Sequence, residues 1–132
     1  MAEDYAAAAR ALVGVRFRLQ GRSDNGMDCV GVVLAAYGLT AASVRRDYSM
    51  RGDHAAEIRS TLERDFRRIS RGQSRPGDLL HLLVAPDRHH FGIKTAAGFV
   101  HAHGGLGKVV ETPGVPEWPL LAVFRRRSRA SR

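Results

Sequence analysis

The chain holds one side chain that could act as a sulfur nucleophile. Cys29 is the only cysteine among 132 residues, so it can form neither an internal disulfide nor a cysteine-rich zinc site. Asp28 precedes it as a favourable N-cap and an apolar run follows, which predicts a helix over Cys29–Tyr37. In a first helical turn, unpaired N–H groups and the helix dipole lower the pKa of a thiol from about 8.5. A core cysteine is the alternative, because free cysteines are often buried.

A thiol nucleophile needs a base within hydrogen-bond reach and a third group that orients the base. Six histidines are available. We expect His54 at the surface, beside a helix start, and His81 in the core or at the edge of an apolar strand. The other four flank one predicted β-hairpin: His89, His90, His101 and His103.

The predicted hairpin brings two of these histidines to one face. A turn at residues 96–97 places Gly92 opposite His101, and Gly92 leaves this face open for a helix end or a substrate. His90 then lies one diagonal step from His101, about 7–8 Å away at Cα. The same register places His103 directly opposite His90. Pairing geometry alone therefore does not choose between His101 and His103 as the partner of His90.

Histidines on facing strands could also bind zinc, or form a histidine-rich surface without a catalytic role. No carboxylate recurs beside them, so we predict neither a metal site nor a cofactor. His89 is expected to point to the face opposite His90, since side chains alternate along a strand.

The charge balance is strongly basic, with a net charge of +8 and a cluster of arginines near the end: Arg125, Arg126, Arg127, Arg129 and Arg132. Such a patch could contact nucleic acid, an anionic membrane or cell wall, or form a solvated tail. Aromatic residues are few and not interleaved with these arginines, which disfavours a nucleic-acid surface built on stacking. There is no apolar run near 18 residues, so no membrane insertion is expected. The acidic start, Met1–Asp4, predicts no secretory signal and therefore synthesis in the cytoplasm.

Helix signals dominate the first half of the chain and strand signals the second, with the turn Arg75–Asp78 between them. The predicted helices are Tyr5–Val13, Cys29–Tyr37 closed by Gly38, and a third from Asp53 whose apolar stripe reaches Phe66; Phe17–Asp28 is a predicted loop. The predicted strands are Leu79–Val84, Phe91–Thr95, Phe99–His103, Lys108–Glu111 and Leu120–Phe124. This pattern indicates an α+β protein with N-terminal helices packed on a C-terminal antiparallel meander. We predict one domain over residues 1–125, followed by a basic tail over 126–132.

Four short motifs, in this order and spacing, resemble those of NlpC/p60 cell-wall cysteine peptidases: Gly26–Gly31, Arg75–Leu79, His90–Ile93 and Phe99–Ala102. The resemblance covers roughly residues 10–125. Three further segments resemble the branch found in phage tails and gene transfer agents: Val109–Pro113, Trp118 and Ala122–Arg125.

The resemblance implies a papain-like α+β fold and cleavage of peptide bonds in peptidoglycan stems, typically the γ-D-glutamyl–diaminopimelate bond. It implies that Cys29 is the nucleophile, His90 the general base and His101 the group that orients His90. The backbone N–H of Cys29 would help to hold the oxyanion. Further candidate substrate-binding or oxyanion positions are Asp28, Phe17, Gly92 and His103.

Two positions depart from the family pattern. Many relatives have a tyrosine where this chain has Phe17, which cannot donate a hydrogen bond to an oxyanion. Loss of one such donor typically lowers the rate by ~10²–10³-fold. Many relatives also have a serine where this chain has Val30. The leading prediction is a peptidoglycan endopeptidase that a phage-like tail or its hub proteins carry to the wall, and the alternative is a weakly active or inactive tail component that binds cell wall.

Overall fold

The computed structural model describes residues 4–16, 22–23, 26–27, 29–39, 64–86, 88–103 and 105–127. The helices are α1 (Tyr5–Arg10) and α2 (Cys29–Tyr37), with a short 3₁₀ turn at Arg71–Gln73. The strands are β1 (Arg22–Ser23), β2 (Gly26–Met27), β3 (Phe66–Ile69), β4 (Leu79–Ala85), β5 (Arg88–Lys94), β6 (Gly98–His103), β7 (Lys108–Pro113) and β8 (Leu120–Arg126). In this part of the chain, no helix is long and apolar enough to cross a membrane.

Helix α2 begins and ends where the sequence predicts. Its residues Val32, Val33 and Leu34 are all buried, so apolar side chains surround much of the helix. At its end Gly38 adopts φ +70°, and the N–H of Leu39 donates to the carbonyl of Leu34 at 2.9 Å. This left-handed glycine cap confirms the predicted stop. α1 ends three residues before the predicted boundary at Val13.

The six long strands form one antiparallel sheet in the order β3-β8-β4-β5-β6-β7. Strands β4 to β7 form the predicted meander, but β8 returns to pair with both β4 and β3. The prediction of a simple meander was therefore wrong for the last strand. Ala122, Val123 and Phe124 are all buried, which means that β8 is apolar on both faces and suits an interior position.

Two hydrophobic clusters cover the two faces of the sheet. The helices pack on the first face, where α2 contacts β5 and β6. Adjacent strand residues alternate between the clusters: Phe91, Ile93 and Val100 pack with the helices, whereas Phe99 belongs to the second cluster. The observed α+β architecture confirms the predicted fold class.

Two local predictions need correction. Phe66 lies in strand β3 rather than in a third helix, and Phe66–Ile69 pairs with the end of β8. Only the outer two residues of this strand are buried, so the sequence lacks the alternation that identifies a strand. The predicted loop at 17–28 contains the short strands β1 and β2. The rest of the predicted third helix, up to residue 63, lies outside the described residues, as does His54.

The predicted turn at Arg75–Asp78 is confirmed and fixes the start of β4. The N–H of Arg75 donates to Oδ2 of Asp78 at 2.8 Å, and Gly77 has φ +95°. The guanidinium of Arg125 donates to both carboxylate oxygens of Asp78 at 2.9 Å. Strand β8 ends at Arg126, one residue beyond the predicted domain boundary at Arg125. Residues 128–132 of the predicted tail lie outside the described part.

Candidate functional site

The hairpin β5–β6 has the predicted turn. The N–H of Thr95 donates to the carbonyl of Gly98 at 2.8 Å, and Ile93 pairs with Val100. A Cβ placed on Gly92 would lie 3.6 Å from Cβ of His101, so these two residues are close neighbours across the strands. The turn thus sets the register that brings residues of β5 and β6 together.

His90 and His101 are joined by a hydrogen bond. Nε2 of His90 lies 3.0 Å from Nδ1 of His101, and the two rings are nearly perpendicular. His103 makes a different contact, since its Nδ1 accepts from the N–H of Leu106 at 3.1 Å. The predicted strand register did not choose between His101 and His103 as the partner of His90. The structure shows that His101 is the partner.

The environment of His101 holds its ring in one position. The side chain is 1% exposed, and its ring stacks on Phe99 with the centroids 4.6 Å apart. Its second nitrogen, Nε2, lies 2.9 Å from Oγ1 of Thr112. Trp118 stands edge-on to both His90 and His101, at centroid distances of 6.0 and 5.7 Å. The bond between the histidines is therefore surrounded by aromatic rings.

Burial keeps both histidines neutral. It lowers the pKa of His90 from 6.5 to about 4, with a smaller contribution from the charge of His103. It lowers the pKa of His101 to about 3, and the charges of His90 and His103 act in the same direction. At neutral pH, His90 therefore has a lone pair on one nitrogen and can accept a proton.

Cys29 is the first residue of α2 and is 5% exposed. It lies in the cluster between the helices and the sheet with Phe91 and Val100, whereas His90 and His101 alternate with these residues along their strands. Helix α2 contacts the two strands that carry the histidines, and the approach of the Cys29 thiol to His90 stays a prediction. Because Nε2 of His90 is engaged with His101, a thiol would have to reach this ring through Nδ1. Asp28 and Phe17, the candidate oxyanion positions before the helix, lie outside the described residues.

The sequence did not single out Thr112 as a member of the site. In the β6–β7 register Thr112 pairs with Phe99, which places it diagonally from His101 on the same face. The diagonal relation across paired strands that links His90 to His101 also links His101 to Thr112 in the β6–β7 hairpin. This relation is the sequence signal that identifies the threonine.

His89 has a separate role on the other face, as predicted from alternation. Its Nδ1 lies 2.9 Å from Nε2 of the buried His81. His81 is buried and stacks on Phe91, so of the two predicted positions, core or strand edge, it occupies the core. In the described ranges, no group of three or more His, Cys, Asp or Glu side chains could hold a metal ion.

The chain is similar to known proteins over most of its length. A model of the NlpC/P60 family matches residues 14–115. The murein DD-endopeptidase MepS/murein LD-carboxypeptidase of Escherichia coli K12 is 30% identical over 109 residues, which cover 80% of this chain and 51% of that protein. The chain thus spans about half the length of this relative.

Solved structures share the fold at lower identity. An NlpC/P60 family protein from Bacillus cereus has a TM-score of 0.66 and 20% identity, covering 93% of this chain and 39% of that one. RipD from Mycobacterium tuberculosis, described as a non-catalytic NlpC/p60 domain protein adapted to peptidoglycan binding, has a TM-score of 0.59 and 16% identity. That match covers 93% of this chain and 94% of RipD. The family model extends from the loop after α1 to the loop after β7, which is most of the chain. The chain therefore belongs to the NlpC/P60 family.

Proposed function

We propose that this chain is a cysteine endopeptidase that hydrolyses stem-peptide bonds of peptidoglycan. The observation that carries the proposal is the hydrogen bond between His90 and His101, on strands in contact with the helix that begins at Cys29. It supplies a neutral base and a buried group that orients this base. Membership of a family that includes peptidoglycan hydrolases supports the same substrate class.

The proposed mechanism assigns one role to each residue. Nδ1 of His90 takes the proton of the Cys29 thiol, and the thiolate attacks the carbonyl carbon of the stem peptide. The backbone N–H of Cys29 stabilises the oxyanion. His90 then returns its proton to the departing amine, leaving a thioester, and activates the water that hydrolyses it. His101 holds the ring of His90 in place through all of these steps.

The proposal also specifies which peptide bond of the stem is hydrolysed. The motif resemblance favours the γ-D-glutamyl–diaminopimelate bond within one stem. The name of MepS instead describes a DD-endopeptidase and an LD-carboxypeptidase. We propose the γ-D-glutamyl bond, because the ordered motifs that carry this resemblance extend over nearly the whole chain.

Both the proposed endopeptidase activity and the proposed bond can be tested in one experiment. Purified peptidoglycan is digested with the purified chain, and the products are identified by mass spectrometry. Cleavage within the stem is expected, and Cys29→Ala is expected to abolish it. Arg67→Gln is a control, because Arg67 is exposed on β3, which is separated from β5 by β8 and β4 in the sheet. Products cut only at cross-links would contradict the proposed bond. Absence of any cleavage between pH 5 and 9 would contradict the enzyme proposal.

A second candidate function is wall binding without efficient catalysis. Two observations favour it: the family includes RipD, described as non-catalytic, and this chain has Phe17 where many relatives have a tyrosine. Sedimentation with insoluble peptidoglycan distinguishes the two functions. Wall binding by both the wild type and Cys29→Ala, without soluble products from either, would support this candidate.

We further propose that a phage-like tail or its hub proteins carry the chain to the wall. The segments Val109–Pro113, Trp118 and Ala122–Arg125 support this, through their resemblance to the tail-associated branch. The test is to purify tail-bearing particles from the source organism and to detect the protein with an antibody. Its absence from particles, together with its presence in the wall fraction, would contradict the proposal.

A further inference from the structure

A third residue extends the hydrogen bond between the two histidines. Nδ1 of His101 faces Nε2 of His90, and Nε2 of His101 lies 2.9 Å from Oγ1 of Thr112. Both nitrogens of the buried ring are therefore engaged, and the three residues form one continuous chain. The direction of donation along this chain depends on which nitrogen of His101 carries its proton.

Only one direction is compatible with a base at Nδ1 of His90. Once His90 has taken a proton there, both of its nitrogens carry hydrogen, and Nε2–H must donate to His101. His101 has a pKa of about 3, because burial opposes its charged form, so it stays neutral and has a single N–H. Its Nδ1 must then be the acceptor and its Nε2 the donor. Oγ1 of Thr112 is the acceptor that this donor reaches.

The fold holds Thr112 where this acceptor is needed. Its backbone pairs with Phe99 in the β6–β7 ladder. Beside it, Glu111 accepts from Oγ1 of Thr95 at 2.6 Å and forms an ion pair with Arg10 at 3.2 Å. These contacts anchor β7 to β6 and to α1. A short side chain on an anchored strand keeps its hydroxyl in place at little entropic cost.

We propose that Thr112 is a positioning residue that accepts a hydrogen bond from Nε2–H of His101 and so leaves the lone pair of His90 on Nδ1. If Thr112 donated instead, His101 would carry its proton on Nδ1 and donate to Nε2 of His90. His90 would then carry its own proton on Nδ1, the atom that must accept from a thiol. The catalytic consequence rests on the proposed function, whereas the tautomer of His101 does not.

Nitrogen-15 NMR of the histidine rings tests the tautomer directly. Protonated and unprotonated ring nitrogens resonate far apart, and His101→Gln identifies the signals of His101 by their loss. At pH 7 we expect the proton of His101 on Nε2 in the wild type and in Thr112→Ser. Thr112→Val has nearly the same shape without the hydroxyl, and should shift the population towards Nδ1–H. A wild-type His101 protonated on Nδ1, or an unchanged tautomer in Thr112→Val, would overturn the proposal.

Activity on stem peptides gives the second readout. We expect Thr112→Val to lower kcat by about ten- to a hundredfold, with little change in KM, because a buried N–H loses its partner. Thr112→Ser should restore most of the rate. A loss in Thr112→Val without a change of tautomer would indicate a purely structural role and overturn the assignment. If the wild type cleaves no peptidoglycan but its tautomers behave as described, the proposed function fails and the assignment of Thr112 stands.

Discussion

Nε2 of His90 and Nδ1 of His101 lie 3.0 Å apart, and this hydrogen bond determines which nitrogen of His90 remains for chemistry. His90 is left with Nδ1 as its acid–base atom. Phe99 stacks on His101, and Trp118 stands edge-on to both imidazole rings, so the bond has apolar aromatic neighbours. A hydrogen bond in such surroundings is stronger than one in water, and the loss of either partner is correspondingly costly.

Removal of the orienting imidazole should damage catalysis more than removal of its neighbour. We expect His101→Ala to lower kcat/KM on a stem peptide by ~100-fold or more, because His90 loses both its orientation and its tautomer. His103→Ala should have a smaller effect, since His103 bonds to the backbone of Leu106 rather than to His90. Steady-state kinetics of the two variants checks this order. A larger loss in His103→Ala would identify His103 as the partner used in catalysis.

The hydrogen-bonded pair of His90 and His101 should make the fold sensitive to mild acid. Both have pKa values below the ordinary value, about 4 for His90 and about 3 for His101, so the folded state binds fewer protons than the unfolded state. The free energy of unfolding should therefore fall as the pH is lowered from about 6.5 towards 4. Urea denaturation at pH 7.5 and pH 5 measures this loss.

A variant separates this effect from the titration of carboxylates. His101→Gln removes one of the two groups and cannot titrate. We expect it to lose less stability than the wild type between pH 7.5 and pH 5, whatever its stability at pH 7.5. Equal losses in the two proteins would mean that His101 is not the origin of the acid sensitivity.

A methyl group at Gly98 should disrupt the contact between β6 and β7. A Cβ at this position would overlap the backbone carbonyl oxygen of Thr112, which cannot move without breaking the ladder. We expect Gly98→Ala to lower the free energy of unfolding by about 2–3 kcal/mol or more. Gly72→Ala is the matched control, because a Cβ there meets nothing within 4 Å. Thermal denaturation of both variants measures the difference, and similar melting temperatures would contradict the close approach.

The ion pair between Asp78 and Arg125 should contribute more than an ordinary surface pair. Asp78 is buried and accepts from Arg125 through both oxygens, as well as from the N–H of Arg75. We expect Asp78→Asn to cost about 2–4 kcal/mol, because the guanidinium and one N–H lose charged partners. Arg127→Gln, at an exposed arginine in the same segment, should cost less than about 0.5 kcal/mol. A double-mutant cycle of Asp78→Asn with Arg125→Gln measures the coupling, and a coupling near zero would contradict the prediction.

Local patterns were sufficient for the elements that carry the site. The apolar run after Asp28 and the glycine at 38 determine where α2 begins and ends, because caps and turns depend on residues near in sequence. Alternation along β5 and β6 places His90 and His101 on one face. Strand β3 was missed, since its pairing with β8 is non-local and its residues do not alternate.

The sequence by itself thus determined the class of fold, the helix that presents Cys29, and the hairpin that carries the histidines. Tertiary structure decided that His101 rather than His103 bonds to His90, because packing against Phe99 and Trp118 orients the ring. Tertiary structure also determined the low pKa values of His90 and His101, because segments distant in sequence bury the two rings. The contact between His101 and Thr112 was also decided by tertiary structure, because it requires three strands to meet in one register.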